Sequence, residues 1–138
     1  MATISAMVHT VSVSRDGKLK LERVDIAHET GFGLVNPLSV KKQLEGQIIW
    51  FYNDAMHQAN TIKDGHIVEN NFNTFKLARI EEDPPEINVR FFKTGHWLLG
   101  MGHDRATSVQ SAIGDAIFQI TGKRFRDLPL GSQDLSWG

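Results

Sequence analysis

Two stretches near the N-terminus alternate apolar and polar residues. Residues 3–14 are rich in β-branched types, and the alternation returns over 19–27 after the sequence Arg15-Asp16-Gly17-Lys18. A period of two is typical of a strand with one buried face, and Asp-Gly between two such stretches is a strong signal for a tight turn. This part of the chain is therefore predicted to form a β-hairpin.

Two later segments carry apolar residues at helical spacing. The first follows Asn36-Pro37, a good helix start because the Asn side chain accepts a backbone N–H and Pro lacks a donor that would be unpaired there. Its apolar residues predict a helix to about residue 57, and they are Leu44, Ile48, Phe51, Tyr52, Ala55 and Met56. Gly46 within it indicates close packing against another backbone or a ligand. The second helix should end at Gly122, and its apolar face is Val109, Ala112, Ile113, Ala116, Ile117 and Ile120.

Between these helices the sequence predicts a second hairpin and a further strand. The hairpin covers 58–72 and turns at Asp64-Gly65, and the strand covers 86–92 after Pro84-Pro85. The order of elements predicts an α+β domain, with an antiparallel or mixed sheet built from hairpins and two helices packed on one face. Residues 1–125 are predicted to form this single unit, and residues 126–138 a C-terminal tail.

Composition narrows the class of protein. The chain has 138 residues, a formal net charge of −1 and no block of like charge, so neither a nucleic acid nor an anionic membrane is expected as a partner. It has no cysteine, which excludes disulfides and cysteine-ligated metal sites within it. No apolar run approaches the roughly 20 residues of a membrane span. No signal peptide is recognised in the first residues, so the compartment is unknown and cytoplasmic by default.

Histidines and glycines supply the candidate chemistry. His103 follows a Gly-Met-Gly turn and precedes Asp104. It is a candidate general base or metal ligand, or a residue without a chemical role, since adjacency to Asp104 does not by itself orient the imidazole. The six histidines form no His-x-x-x-His pair, so no metal site is predicted. Gln43 is either a surface amide or, beside Gly46, an amide offered to a ligand. On these residues alone the chain is an α+β domain without an assigned activity.

Five segments occur in an order that resembles a known family. They are VSVSRDGKLKLERV, HETGFGLVNP, QLEGQI, IKDGHIVENNFNTFKLARIEEDPPEINVRF and GMGHDRATSVQSAIGDAIFQITGKRFRDLPL. The series resembles the C-terminal part of the molybdopterin-binding large subunit of molybdenum hydroxylases, the xanthine dehydrogenase and aldehyde oxidase family. Within that family it resembles the isoquinoline 1-oxidoreductase beta subunit type. The resemblance implies the C-terminal molybdopterin-binding fold of aldehyde oxidases and a place in an oxidoreductase of aldehydes or N-heterocycles.

The resemblance also implies roles for single residues. Gln43 matches a glutamine that hydrogen-bonds the pterin, and the glycines of the Gly-Met-Gly turn match those that let backbone approach the metal ligands. The cofactor-binding positions so implied are Gln43, Gly100, Met101 and Gly102. His103 stands where the family has its general-base glutamate, and Asp104 stands where a proline usually follows. No metal ligand is assigned to this chain.

Three interpretations follow from the resemblance and the altered base position. A partial large-subunit domain would be inactive alone. It would bind molybdopterin only when a partner chain completes the site, with the remaining molybdopterin subunit and an iron–sulfur subunit as partners, and no cofactor in isolation. A stand-alone relative that lost the catalytic glutamate would be a non-catalytic binding or oligomerisation domain, for example a homo-oligomer. A piece of a longer protein would share that protein's function. We expect the first.

Overall fold

The elements form in the predicted order. The computed structural model describes residues 4–82, 84, 86–97 and 106–138. Its strands are β1 (Ser5–Val13), β2 (Leu19–Glu29), β3 (Ile62–Lys63), β4 (His66–Ile67) and β5 (Glu86–Phe92). Its helices are α1 (Pro37–Met56) and α2 (Ala106–Thr121), followed by a 3-10 helix at Leu130–Ser132.

The main sheet is mixed, with β2 in the centre between β1 and β5. β1 pairs antiparallel with β2, as the Asp-Gly turn predicts. β5 pairs parallel with β2, from Arg23 opposite Glu86 to Glu29 opposite Phe92. Parallel strands need a long connection, which α1 and the segment after it supply. The second predicted hairpin forms as β3 and β4, but it is a separate two-stranded ribbon. The α+β prediction is confirmed.

The core lies between the inner face of this sheet and the two helices. β2 buries Leu21, Val24 and Ile26, and the spacing of three between the first two arises because the pairing skips one residue of β2 opposite Thr10 and Val11. α1 buries its whole predicted stripe, which is Leu44, Ile48, Phe51, Tyr52, Ala55 and Met56. α2 buries Val109, Ile113 and Ile117 of its predicted face, whereas Ala112, Ala116 and Ile120 are half-buried. Helical spacing alone therefore identified the buried faces.

The helix ends follow the predicted capping chemistry. The Asn36 side chain accepts the Ser39 N–H at 3.1 Å, and Pro37 is the first helical residue. α1 ends at Met56, where the His57 N–H still reaches the Asn53 carbonyl at 2.8 Å. Among the helices that the structure describes, none combines the length and the apolarity needed to cross a membrane.

Residues 126–138, the predicted tail, pack on the core. Leu130 and Leu135 are buried with the sheet and helix residues. The Trp137 indole N–H donates to the Val13 carbonyl at 3.0 Å, which ties this segment to the end of β1. Burial of two leucines stabilises the fold by about 3–6 kcal/mol at the usual transfer values. The boundary at residue 125 stays a prediction.

We expect Gly122→Ala to lower the free energy of unfolding by about 1–2 kcal/mol. Gly122 has a φ of +71° and its N–H bonds the Phe118 carbonyl at 2.8 Å, so it ends α2 in a conformation that strains Ala. Gly114→Ala is the matched control, since Gly114 lies inside α2 with nothing within 4 Å of an added Cβ. In that control variant the free energy of unfolding should rise by about 0.5–1 kcal/mol. Urea denaturation measures both, and equal effects would contradict the constraint at Gly122.

Candidate functional site

The carboxyl ends of β2 and β5 lie side by side because the two strands run parallel. His28 is opposite Phe91 and Glu29 is opposite Phe92, at the last rungs of the pairing. In sheets with parallel strands, ligands bind beyond the carboxyl ends of the strands. This edge carries three buried polar residues in succession, His28, Glu29 and Thr30. This edge is therefore the candidate site.

His28 contacts residues of both neighbouring strands inside the sheet. Its side chain is fully buried, and Nδ1 lies 2.6 Å from the Ser5 hydroxyl on β1. The Phe91 ring meets the imidazole edge-on, with 6.3 Å between ring centres. These contacts come from both neighbouring strands, so His28 is held in place on both sides.

Glu29 links three parts of the chain. One carboxylate oxygen accepts the Ile4 N–H at 3.2 Å, and the other accepts the Thr94 hydroxyl. The Thr94 hydrogen bond lowers the pKa of the Glu29 carboxyl, and the Ile4 amide and the neighbouring His96 and His28 lower it further, while burial acts in the opposite direction. A nearly buried glutamate, 4% exposed, is thereby kept ionised by its own hydrogen bonds.

Gly31 lets the segment after β5 cross close to the segment after β2. It has a φ of +58°, and a Cβ added there would lie 2.6 Å from the His96 carbonyl oxygen and 2.7 Å from that of Trp97. Its own carbonyl accepts the Thr94 N–H at 3.1 Å. Residue 31 must therefore be glycine on two counts, backbone conformation and space.

A groove opens beside this crossing, with a volume of about 590 Å³. Its walls are mostly apolar, and Lys93 contributes the positive charge. The rings of Phe32 and Trp97 meet edge-to-face, with 5.6 Å between centres, and are 56% and 74% exposed. Exposed aromatic rings beside an apolar groove are typical of a surface that binds a ligand or another polypeptide.

Most of the predicted site residues lie outside the described part of the chain. Gly100, Met101, Gly102 and His103 fall in the interval 98–105, which follows directly on Trp97. Gln43 is described, and it is exposed on α1 and does not line the groove. Gly46 is also exposed, with nothing within 4 Å of an added Cβ. No described backbone packs against Gly46, so the predicted close packing against another backbone is not seen among the described residues.

The other described histidines do not gather into a metal site. His9 faces the core from β1, its ring nitrogens have no hydrogen-bond partner among the described residues, and burial lowers its pKa. His57 lies at the end of α1, with Nε2 3.2 Å from a Glu82 carboxylate oxygen but without hydrogen-bond geometry. The described residues contain no group of three or more side chains able to hold a metal ion.

The sequence did not predict the roles of Glu29 and Gly31. The sequence marks both only weakly, as an acidic residue and a glycine just past a strand end. Their partners Thr94, His96 and Trp97 are more than sixty residues away, and nothing in the local pattern indicates that β5 lies parallel to β2.

Comparison with known proteins gives consistent matches to parts of larger enzymes. The chain is 32% identical, over its whole length, to the membrane-bound aldehyde dehydrogenase (pyrroloquinoline-quinone) of Gluconacetobacter polyoxogenes and covers 18% of that protein. It is 29% identical to isoquinoline 1-oxidoreductase subunit beta of Brevundimonas diminuta, over 91% of this chain and 16% of that one. This chain is a partial domain of the molybdenum hydroxylase family. No family model matches it.

Solved structures of the family support the fold of this molybdenum hydroxylase domain. The aldehyde oxidoreductase of Desulfovibrio desulfuricans aligns with a TM-score of 0.77 at 21% identity, over 91% of this chain and 14% of that one. Quinoline 2-oxidoreductase of Pseudomonas putida 86 aligns with a TM-score of 0.76 at 18% identity, over 88% of this chain and 16% of that one. The predicted recognition is confirmed, and the chain spans less than a fifth of the relatives it matches.

We expect Gly31→Ala to lower the free energy of unfolding by about 2–4 kcal/mol, from conformational strain plus overpacking. Gly65→Ala is the control, because Gly65 also has a positive φ, +77°, but nothing lies within 4 Å of an added Cβ. The difference between the two variants isolates the clash with the His96 and Trp97 carbonyls. Chemical denaturation measures it, and equal losses would contradict the close crossing.

Proposed function

We propose that this domain supplies one wall of the molybdopterin site of an aldehyde or N-heterocycle oxidoreductase and works only when the rest of the large subunit is present. The observation that carries the proposal is the parallel ending of β2 and β5. It delivers Thr94–Trp97 to the edge where Glu29 and Gly31 lie, immediately before the interval that contains His103. The sequence match to oxidoreductases over the whole chain supports the same conclusion.

The described residues do not by themselves form a molybdopterin site. Of the predicted pterin contacts, Gln43 is described, and one exposed amide on α1 does not enclose a cofactor. The described part of the chain also offers no cluster of metal-holding side chains. The names of related proteins differ in cofactor, with pyrroloquinoline-quinone for one and copper and molybdenum for a solved CO dehydrogenase. Most cofactor contacts would therefore come from the completing polypeptide.

Exposed apolar side chains support a protein partner. Beside the groove, Val35 is 93% and Leu38 is 66% exposed. On the segment between α1 and β5, Phe72 is 86% and Ile80 is 82% exposed. Large apolar patches are uncommon on monomers and typical of interaction surfaces. We propose that the remaining large-subunit polypeptide covers them.

We propose that any iron–sulfur cluster of the complete enzyme is held by polypeptide outside this sequence. Such clusters are held by cysteine thiolates, and this chain contains no cysteine. An iron–sulfur subunit is therefore the second proposed partner. No residue of this chain is assigned to that contact.

The histidine at position 103 favours a second candidate function. A neutral imidazole accepts a proton, but its reach and charge states differ from those of the family's glutamate. A small displacement of a base from its working geometry costs about 100-fold in rate. A non-catalytic binding or oligomerisation domain that has lost the glutamate is the alternative.

Purification from the native host, with size-exclusion chromatography and metal analysis, separates the two functions. Molybdenum and a second polypeptide eluting with this chain are the result expected for the large-subunit domain. A metal-free monomer or homo-oligomer would overturn that proposal and favour the non-catalytic domain.

We expect Gln43→Ala to leave the stability of the isolated chain within about 0.5 kcal/mol, as usual for an exposed position. In the completed complex it should lower the pterin content, because the variant loses the amide proposed to face the pterin. Gln119→Ala is the matched control, an exposed glutamine on α2. Fluorescence of the released, oxidised pterin gives the content per chain. Equal loading in both variants would contradict the role of Gln43.

We expect His103→Glu to produce no hydroxylase turnover in the isolated chain, because restoring a carboxylate does not supply the missing cofactor contacts. Oxidation of an aldehyde and of an N-heterocycle is followed spectrophotometrically with an artificial electron acceptor. The unaltered chain is the control. Metal-dependent turnover by the variant without partners would contradict the prediction.

A further inference from the structure

We propose that Glu29 is a positioning residue whose carboxylate ties Ile4, just before β1, to Thr94, just after β5, and so fixes where the chain enters residues 98–105. The link concerns this chain alone. Its importance for catalysis rests on the proposed function, which places the altered base His103 in that interval.

The carboxylate joins parts of the chain that are far apart in sequence. The Ile4 N–H donates to one oxygen at 3.2 Å and the Thr94 hydroxyl donates to the other. The Glu29 N–H itself donates to the Ile4 carbonyl at 3.0 Å. A single side chain therefore receives one donor from each of two segments that do not pair with one another in the sheet.

Backbone hydrogen bonds also hold the segment after β2 close to the segment after β5. The Thr30 N–H donates to the Phe92 carbonyl at 2.9 Å, and the Thr94 N–H donates to the Gly31 carbonyl at 3.1 Å. With Gly31 against the carbonyls of His96 and Trp97, residues 94–97 have little room to shift. Glu29 bonds directly to the segment 94–97 through Thr94.

The charge of Glu29 matters as well as its shape. Hydrogen bonds to a charged group are about twice as strong as neutral ones. The titratable groups that act on Glu29 are His28 on its own strand and His96 on the segment it holds, and both favour the carboxylate. Since the pKa of Glu29 is lowered from its ordinary value of 4.5, the stabilisation is complete above that pH and is lost as the pH falls through the lower folded-state value.

The test compares Thr94→Val with Thr94→Ser in the isolated chain. Val has the same shape as Thr but no hydroxyl, and Ser keeps the hydroxyl. Amide hydrogen exchange at residues 94 and 95 should become roughly ten- to a hundredfold faster in Thr94→Val, the change expected from losing a hydrogen bond to a charged group. Thr94→Ser should keep the original rates, and amides in the centre of β2 should keep theirs in both variants.

A pH titration separates positioning from general stability. The Glu29 carboxyl resonance and the Trp97 indole N–H, assigned with Trp97→Phe, should titrate with one common midpoint. That midpoint should rise in Thr94→Val and stay in Thr94→Ser, because the hydroxyl lowers the pKa of Glu29. In Glu29→Gln, the Trp97 indole N–H signal should no longer change with pH at the Glu29 midpoint.

Unchanged exchange in Thr94→Val, or a Trp97 signal that does not follow Glu29, would overturn the proposal. Failure of Glu29→Gln to fold would not affect the comparison of the two Thr94 variants. Metal and partner analysis of the native protein is independent of these measurements, so this proposal and the proposed function fail separately.

Discussion

The parallel pairing of β2 with β5 is the constraint on which the rest of the structure depends. Because the two strands run in the same direction, they end at one edge, and the segments that follow them must diverge from a common point. The buried polar run of His28, Glu29 and Thr30 lies at this point. An antiparallel β5 would have carried residues 93–97 to the opposite end of the sheet, far from Glu29.

The sheet is covered by helices on one face and exposed on the other. The two helices cover the inner face of the sheet and bury a continuous apolar core. The other face and the groove beside Phe32 keep apolar side chains exposed, and so does the segment that contains Phe72. This domain spans less than a fifth of the relatives it matches. Its core is buried between the sheet and the helices, whereas its outer surfaces keep exposed apolar side chains of the kind found at interaction surfaces.

Local chemistry predicted the elements well. The Asn36-Pro37 start, the apolar stripes of both helices and the Gly122 end all depend on residues within a few positions of one another, so the sequence alone indicates them. The second hairpin formed at Asp64-Gly65, yet it stands apart from the main sheet. Sheet membership depends on which distant strand is available, and no local pattern records that.

The sequence by itself determined the secondary structure and the family resemblance. Tertiary structure alone decided that Glu29 accepts from Thr94 and that Gly31 lies beneath the His96 and Trp97 carbonyls. The physical reason is range. Capping, turn formation and amphipathic spacing act between near neighbours, whereas a carboxylate shared between residues 25 and 65 positions away exists only once the strands have paired.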